Sequence, residues 1–146
     1  MRTLHALLVT AVLVSPIDAF AERLVDFQAY PDGSPTVVGD TVSDHFAAFG
    51  LSMIGTEAGD ATITDVGGGD RWVTGEGLVL SLAEPSDGVS IVAYDLLGFG
   101  GGAIAYDADG VELELIPIVS APGALAEFTV GGIAEVHVVP GFGGPV

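Results

Sequence analysis

Short runs of alternating apolar and polar residues fill most of the chain, and no long helical periodicity follows the first 21 residues. In Val111–Ile116, for example, valine and leucine alternate with glutamate, which is the two-residue period of a half-buried strand. Glycine, proline and Asp-Gly pairs separate the runs, as in tight turns. This spacing predicts an all-β sandwich or barrel. The predicted strands are Leu24–Gln28, Leu51–Ile54, Ala61–Val66, Arg71–Thr74, Leu78–Leu82, Val89–Leu96, Ala103–Asp107, Val111–Ile116, Leu125–Val130 and Ala134–Val139.

A different pattern appears in TVSDHFAAFG, residues 41–50. Ser43 can cap a helix, Phe46 and Phe49 lie on one helical face, and Gly50 can end it. We therefore expect one short helix near residues 43–49, closing an end of the sheets. Residues predicted to face the core are Phe27, Phe46, Leu80, Ile91, Ala93, Ile104, Leu113, Leu115, Phe128 and Val136.

The first 21 residues have the pattern of a secretory signal peptide. Arg2 and the amino terminus are positive, Leu4–Val14 is apolar, and Pro16 ends that run. Ala19-Phe20-Ala21 matches an A-x-A-like cleavage site. The apolar run is shorter than the roughly 18–20 residues that a spanning helix needs. The sequence predicts cleavage after Ala21 and a secreted or periplasmic domain at 22–146 with no membrane span.

Charge narrows the choice of partners. The net charge is −17, with three arginines and no lysine, asparagine or cysteine. Such a surface repels phosphate backbones and anionic lipid headgroups, so we expect neither nucleic acid nor a membrane surface as a partner. An acidic surface attracts multivalent cations. The alternative is that the charge only keeps the protein soluble in a salty extracellular medium.

The stretch AYDADGVELEL, residues 105–115, fits either a calcium loop or a hairpin bend. An EF-hand loop needs D-x-D-x-D-G and a glutamate six residues after the glycine. Here Gly110 directly follows the second aspartate, Asp109, and position 116 is isoleucine. Asp-Gly between two alternating runs is a strong hairpin signal. The pattern favours the hairpin.

Evidence for catalysis is limited to two carboxylates. Glu112 and Glu114 are expected to face solvent together from one strand, and paired carboxylates can hydrolyse glycosides. A glycosidase would also need an aromatic-lined cleft, and Trp72 is the only tryptophan. No metal-binding histidine spacing and no serine nucleophile motif occurs. We expect no catalysis and keep a glycoside hydrolase using these two glutamates as an alternative.

Two sets of residues remain as candidate binding groups. The aromatic side chains that could stack on a sugar ring are Tyr30, Trp72, Tyr94 and Phe99. The turn residues that could hold calcium, the one cofactor the sequence suggests, are Asp26, Asp32, Asp40 and Asp44. Ordinary solvated turn aspartates are the alternative.

Residues 25–53, VDFQAYPDGSPTVVGDTVSDHFAAFGLSM, resemble a group of secreted bacterial β-sandwich proteins, many with a PEP-CTERM sorting tail. The AYDADG hairpin and AEFTVGGIAEVHVV, residues 126–139, are similar to strands of the same group. The resemblance implies a jelly-roll-like, lectin-like antiparallel sandwich and no known activity. That group ends with an acidic strand, where this chain has GFGGPV at 141–146. We therefore expect the final strand to be lacking.

These observations predict a secreted, non-catalytic β-sandwich module that binds extracellular polysaccharide or associates with a matrix protein. The alternative is a structural or assembly domain whose exposed edge strand pairs with another chain.

Overall fold

The computed structural model describes residues 7–16, 23–55, 61–65, 67–75, 77–95, 101–118 and 124–139. These residues form antiparallel strands, which confirms the all-β prediction. No helix in these ranges is long and apolar enough to cross a membrane. The strands are β1 (Leu7–Pro16), β2 (Arg23–Val25), β3 (Leu51–Gly55), β4 (Thr62–Asp65), β5 (Arg71–Gly75), β6 (Leu78–Asp95), β7 (Gly101–Tyr106), β8 (Glu112–Ile118), β9 (Ala124–Phe128) and β10 (Ile133–Val139).

One long strand, β6, belongs to both layers of the structure and is irregular near its middle. It runs for 18 residues and contains Pro85, which cannot donate a hydrogen bond to a sheet ladder. The register of β10 against β6 shifts between Glu135 opposite Ser81 and Ile133 opposite Ser86. Such a shift bends a strand, so the two halves of β6 pair with different neighbours.

The two halves of β6 organise two antiparallel sheets. The first half lies between β3 and β10, and β7 and β8 continue that sheet. The second half lies between β9 and β1, and β5 and β4 continue the other. β2 pairs with one end of β1. This sandwich-like arrangement agrees with the predicted fold class.

A single hydrophobic cluster draws side chains from both sheets and from the N-terminal loops. Most of the predicted core is confirmed, and Leu113 packs half-buried against it. The rings of Phe27 and Phe46 meet edge-on, with centroids 5.1 Å apart. The predicted core residues that are buried are Phe27, Phe46, Leu80, Ile91, Ala93, Phe128 and Val136.

A bulge at the start of β8 changes which side chains face the core. Tyr106 of β7 lies opposite Glu112, and the residue before it, Ala105, lies opposite Glu114. Leu113 therefore has no partner on β7 and is the extra residue of β8. An extra residue moves every side chain beyond it to the other face of the sheet.

The predictions of Leu115 and Ile104 as core residues are wrong; the bulge accounts for Leu115, whereas β7 itself turns the alternate residues to the core. These two residues lie opposite each other on the outer face, where Leu115 is 52% exposed and Ile104 is half-buried. The neighbouring alanines Ala103 and Ala105 face the core instead and are fully buried.

The predicted short helix is a single 3-10 turn at Ala47–Phe49. Its position agrees with the prediction, and its length is shorter. Gly50 ends the turn in the left-handed conformation, with φ of 77°. The fully buried ring of Phe46 anchors the start of the turn in the core.

The first predicted strand of the domain, Leu24–Gln28, ends early, at Val25. Phe27 has φ of 59°, a left-handed conformation that is uncommon for a bulky residue and incompatible with an extended strand. The buried Thr36 hydroxyl donates a hydrogen bond of 2.7 Å to the Phe27 carbonyl oxygen. That bond and the burial of the ring hold the reversed backbone in place.

The strand β1 is a second difference from the sequence pattern. It occupies Leu7–Pro16, within the segment predicted as a signal peptide, where no strand was expected. Cleavage after Ala21 remains a prediction.

Candidate binding pocket

An open pocket of about 480 Å³ lies where two loops between β2 and β3 meet. Small-molecule sites have volumes of about 300–1,000 Å³, so the pocket can hold a small ligand or one unit of a polymer. It contains one predicted aromatic residue and three of the four predicted acidic ones. The lining residues are Tyr30, Pro31, Asp32, Asp40, Asp44, His45 and Ala48.

The first wall of the pocket is the turn Pro31-Asp32-Gly33. The Gly33 N–H donates to the Tyr30 carbonyl oxygen at 2.9 Å, which closes a β-turn whose second residue is the proline. Proline favours this position because its ring presets φ. Gly33 itself has φ of 83°, which glycine adopts without steric cost. The residues P-D-G therefore determine this wall locally.

Asp32 is ordered by the turn that it belongs to. Its Oδ1 accepts hydrogen bonds from the Ser34 hydroxyl at 2.6 Å and from the Ser34 N–H at 2.9 Å. Both bonds favour the ionised carboxylate, so they lower the pKa of Asp32 below its ordinary 3.8. Asp32 therefore presents a fixed negative charge at the pocket.

Tyr30 joins the two walls through its hydroxyl. The hydroxyl donates to Asp40 Oδ2 at 2.5 Å. Partial burial, and then this hydrogen bond to Asp40, raise the pKa of Tyr30 above its ordinary 10.0. The phenol therefore remains a protonated donor at neutral pH, and it holds the Asp40 carboxylate in a defined direction.

The ring of Tyr30 rests on the aromatic part of the core. Its centroid lies 5.9 Å from that of the buried Phe46 and 5.3 Å from that of His45. Contacts at these separations are favourable for aromatic pairs. The position of the Tyr30 ring is thus fixed by contact with Phe46, which is buried in the core.

The second wall belongs to the turns that lead into the 3-10 turn. Asp44 is exposed; its Oδ1 accepts a hydrogen bond of 3.1 Å from the Ser43 hydroxyl. Its carbonyl oxygen accepts from the Ala47 N–H at 2.9 Å. His45 follows it with an exposed ring. Sequence reasoning missed His45 as a pocket residue, although it lies next to Asp44 in a segment expected to turn.

Asp26 lies outside the lining of the pocket. Its Oδ1 accepts from the Gln28 N–H at 3.1 Å, and the Gln28 carboxamide in turn bonds the backbone of Arg71 on β5. The structure therefore separates one of the four predicted calcium ligands from the other three. Within the described ranges, no three histidine, aspartate or glutamate side chains are grouped closely enough to hold a metal ion.

Of the other predicted aromatic ligands, only Trp72 has a described side chain, and it does not line the pocket. Trp72 lies half-buried on β5, opposite Thr64 of β4. Tyr94 lies near the end of β6, with its backbone opposite Leu8. Phe99 falls outside the described residues.

The expected pairing of Glu112 and Glu114 on one face of a strand is wrong. The bulge in β8 places Glu112 on the outer face, where it is exposed, and Glu114 on the inner face, where it is half-buried. The Oε2 atom of Glu114 is buried and has no hydrogen-bond partner in the described part of the chain. The two carboxylates do not flank one cleft, so the observation behind the glycosidase alternative is lost.

The pocket combines the groups that a polyhydroxylated ligand requires. Carboxylates at Asp32, Asp40 and Asp44 can accept hydrogen bonds from hydroxyl groups. The rings of Tyr30 and His45 offer apolar faces beside them. No protein-family model, curated protein or solved structure matches the chain.

Proposed function

We propose that the protein is a secreted, non-catalytic β-sandwich module that binds a neutral extracellular polysaccharide through the pocket at Tyr30. The supporting observation is the convergence of Tyr30, His45 and three carboxylates on one open pocket. Sugar hydroxyls donate to carboxylates, and the apolar side of a sugar ring packs on an aromatic face. The open shape suits a polymer that enters and leaves at its sides.

The ligand is neutral because of the charge of the protein. A net charge of −17 repels uronic acids and sulfated sugars, and three carboxylates at the pocket repel them locally. The pattern of acceptors and rings thus favours an uncharged, hydroxyl-rich polymer over an acidic one.

Binding to an array of neutral and anionic glycans, followed by calorimetry with a neutral glycan that binds, tests the proposal. Asp44→Asn removes one exposed carboxylate of the pocket and should weaken binding about two- to tenfold. Asp109→Asn removes another exposed carboxylate, from the β7–β8 turn that does not line the pocket, and should leave affinity unchanged. Binding of only anionic glycans on the array, or equal affinity of the two variants in calorimetry, would contradict the proposal.

Calcium at the same carboxylates is a separate part of the proposal. Asp32, Asp40 and Asp44 lie around one pocket but are not grouped closely enough to ligate one ion together, so a dication would be held there only by the attraction of their combined negative charge. The array and calorimetry are repeated with calcium, with a chelator, and with sodium chloride at matched ionic strength. A calcium-dependent site responds to calcium beyond the salt control, and equal binding under all three conditions would exclude it.

An assembly domain that pairs through an edge strand is the second candidate. Among the described strands β8 pairs only with β7, and its residue Leu115 is 52% exposed. An open edge with an apolar side chain is a template for a further strand. Leu115→Lys should abolish any concentration-dependent dimer seen by light scattering, whereas a strictly monomeric wild-type chain would argue against this role.

A further inference from the structure

One segment of the chain has two incompatible roles. The apolar run Leu4–Val14 is the core of the predicted signal peptide, and β1 uses Leu7–Pro16 as a strand. In the structure β1 pairs with β6 along its length, and on its other side it pairs with β5 over residues 7–9 and with β2 over residues 12–14. Leu7 is opposite Asp95 and Pro16 is opposite Ser86, so β1 covers the whole second half of β6. If the signal peptide is removed, the sheet loses an interior strand.

Removal of β1 would leave a gap in the sheet, bordered by the strands that pair with β1. Where β1 separates β6 from β5, at residues 7–9, two strand spacings of about 4.8 Å would leave a gap about 10 Å wide. Residues 86–95 of β6 and 73–75 of β5 would lose backbone partners on their β1 side, while residues 89–93 keep β9 on the other side, and β2 would lose its only described pairing. Unpaired backbone groups beside a core are costly and attract another strand.

The core beneath this position is apolar and well buried. Val89, Ile91 and Ala93 of β6 and Val73 of β5 have at most 1% of their surface exposed. Opening the sheet between these two strands would admit water to that part of the core. Backbone hydrogen bonding and hydrophobic burial therefore both favour refilling the gap.

We propose that the exported chain, after losing its leader, accepts a strand from a different protein in the position of β1. This inference rests on the export and cleavage predicted above. The donor is an extended, uncharged segment of about ten residues, antiparallel to β6, as β1 itself is. An acidic donor is disfavoured by the net charge of −17. Strand addition of this kind uses main-chain hydrogen bonds for affinity and alternate side chains for specificity.

A second copy of the chain is a poor donor. Every described strand from β3 onward already pairs within its own sandwich. β2 is only three residues long, too short to replace ten. Residues 140–146, PGFGGPV, contain three glycines and two prolines, which strands disfavour. The donor is therefore a separate chain.

The test uses the full-length gene expressed for export, with the intact mass of the recovered protein measured first. The probe is a synthetic peptide of residues 7–16, LLVTAVLVSP, added to the cleaved protein. Hydrogen exchange of the amides in residues 86–95 that face β1 should be fast without the peptide and at least tenfold slower with it, whereas the amides that face β9 should stay protected throughout. The melting temperature should rise with peptide concentration, because the peptide binds only the folded state.

The matched control is the same peptide with Val12→Pro. Val12 lies opposite Ile91 and Val25, and proline there removes a ladder hydrogen bond and clashes within a sheet. The control peptide should neither slow the exchange nor raise the melting temperature. Equal effects of the two peptides would show non-specific association and overturn the inference.

The remaining outcomes separate the two proposals. A full-length protein that retains residues 7–16 overturns the predicted cleavage, and the strand position is then never vacated. A cleaved protein whose β1-facing amides in residues 86–95 are protected without peptide overturns the strand inference alone. Glycan binding at Tyr30 is read independently, since that pocket lies in the loops between β2 and β3.

Discussion

Two acidic turns of this protein have similar local chemistry and different surroundings. The Pro31-Asp32-Gly33 turn and the Asp107–Gly110 turn each have a glycine at positive φ, 83° and 77°. In each an aspartate Oδ1 accepts backbone hydrogen bonds, from Ser34 in the first and from Asp109 and Val111 in the second. By these features the two turns are equivalent.

Their tertiary contacts distinguish them. The first turn borders a pocket, because Tyr30 bonds Asp40 and packs on the buried Phe46. The second turn connects β7 to β8, as the hairpin prediction expects, but Val111 at its end is exposed, although the alternation of this strand predicted that it would face inward. Acidic turn residues therefore become candidate ligands only where another segment supplies an opposing wall.

Removal of the aromatic support beneath the first turn should have the largest effect. Phe46 is fully buried, so Phe46→Ala should lower the free energy of unfolding by about 3–5 kcal/mol. Val111→Ala, beside the second turn and 57% exposed, should change it by less than about 0.5 kcal/mol. Urea unfolding measures both. Equal losses would contradict the contrast between the turns.

Replacement of the turn glycines tests what the turns share. Gly33→Ala and Gly110→Ala each place a Cβ at positive φ, with no heavy atom within 4 Å of it. Each should cost about 1–2 kcal/mol from backbone strain alone. Similar losses in urea unfolding would identify a purely local effect. A clearly larger loss at Gly33 would show that the pocket wall also depends on the turn geometry.

The hydroxyl of Tyr30 tests the link between the two pocket walls. Tyr30→Phe removes the donor to Asp40 and should cost about 0.5–1.5 kcal/mol. Tyr106→Phe, near the second turn, is the control, since the described part of the chain contains no hydrogen-bond partner for its hydroxyl. The control should be close to neutral in the same unfolding assay. If both variants lose the same stability, the Tyr30–Asp40 bond is not specific to the pocket.

The smallest expected effect is the pH response of Asp32. Its folded-state pKa lies below the ordinary 3.8, so its contribution to stability is present above that pH and disappears as the pH falls through the folded value. Ser34→Ala removes the main cause of the shift and should move the pKa of Asp32 back upward. Carbon-13 NMR titration of the carboxyl measures this, and an unchanged pKa in the variant would refute the assignment.

Several features of this protein are determined by local sequence and were predicted from it. Alternating apolar runs specify strands, and Asp109-Gly110 specifies a hairpin bend, because both depend on neighbouring residues only. The buried ring of Phe46 and the turn near residues 43–49 likewise follow from the local pattern.

The faces of β8 required the tertiary structure. Alternation alone placed Leu115 inward and Glu114 outward, and the bulge at Leu113 reversed both. A bulge arises from pairing with β7, so its cause lies in another strand and not in the residues that it reorients. The left-handed backbone of Phe27 is similar, since the hydroxyl of Thr36 and the packing of the ring stabilise it.

The candidate site divides in the same way. The sequence by itself identified Tyr30, Asp32, Asp40 and Asp44 as chemically suitable, and its charge predicts that anionic partners are disfavoured. Only the tertiary structure decided that these four share a pocket with His45 while Asp26 bonds toward β5. The physical reason is that the chemical type of each side chain can be read from the sequence, whereas a binding site also requires residues from different segments to lie close together. That proximity depends on tertiary packing, here the packing of Tyr30 on Phe46.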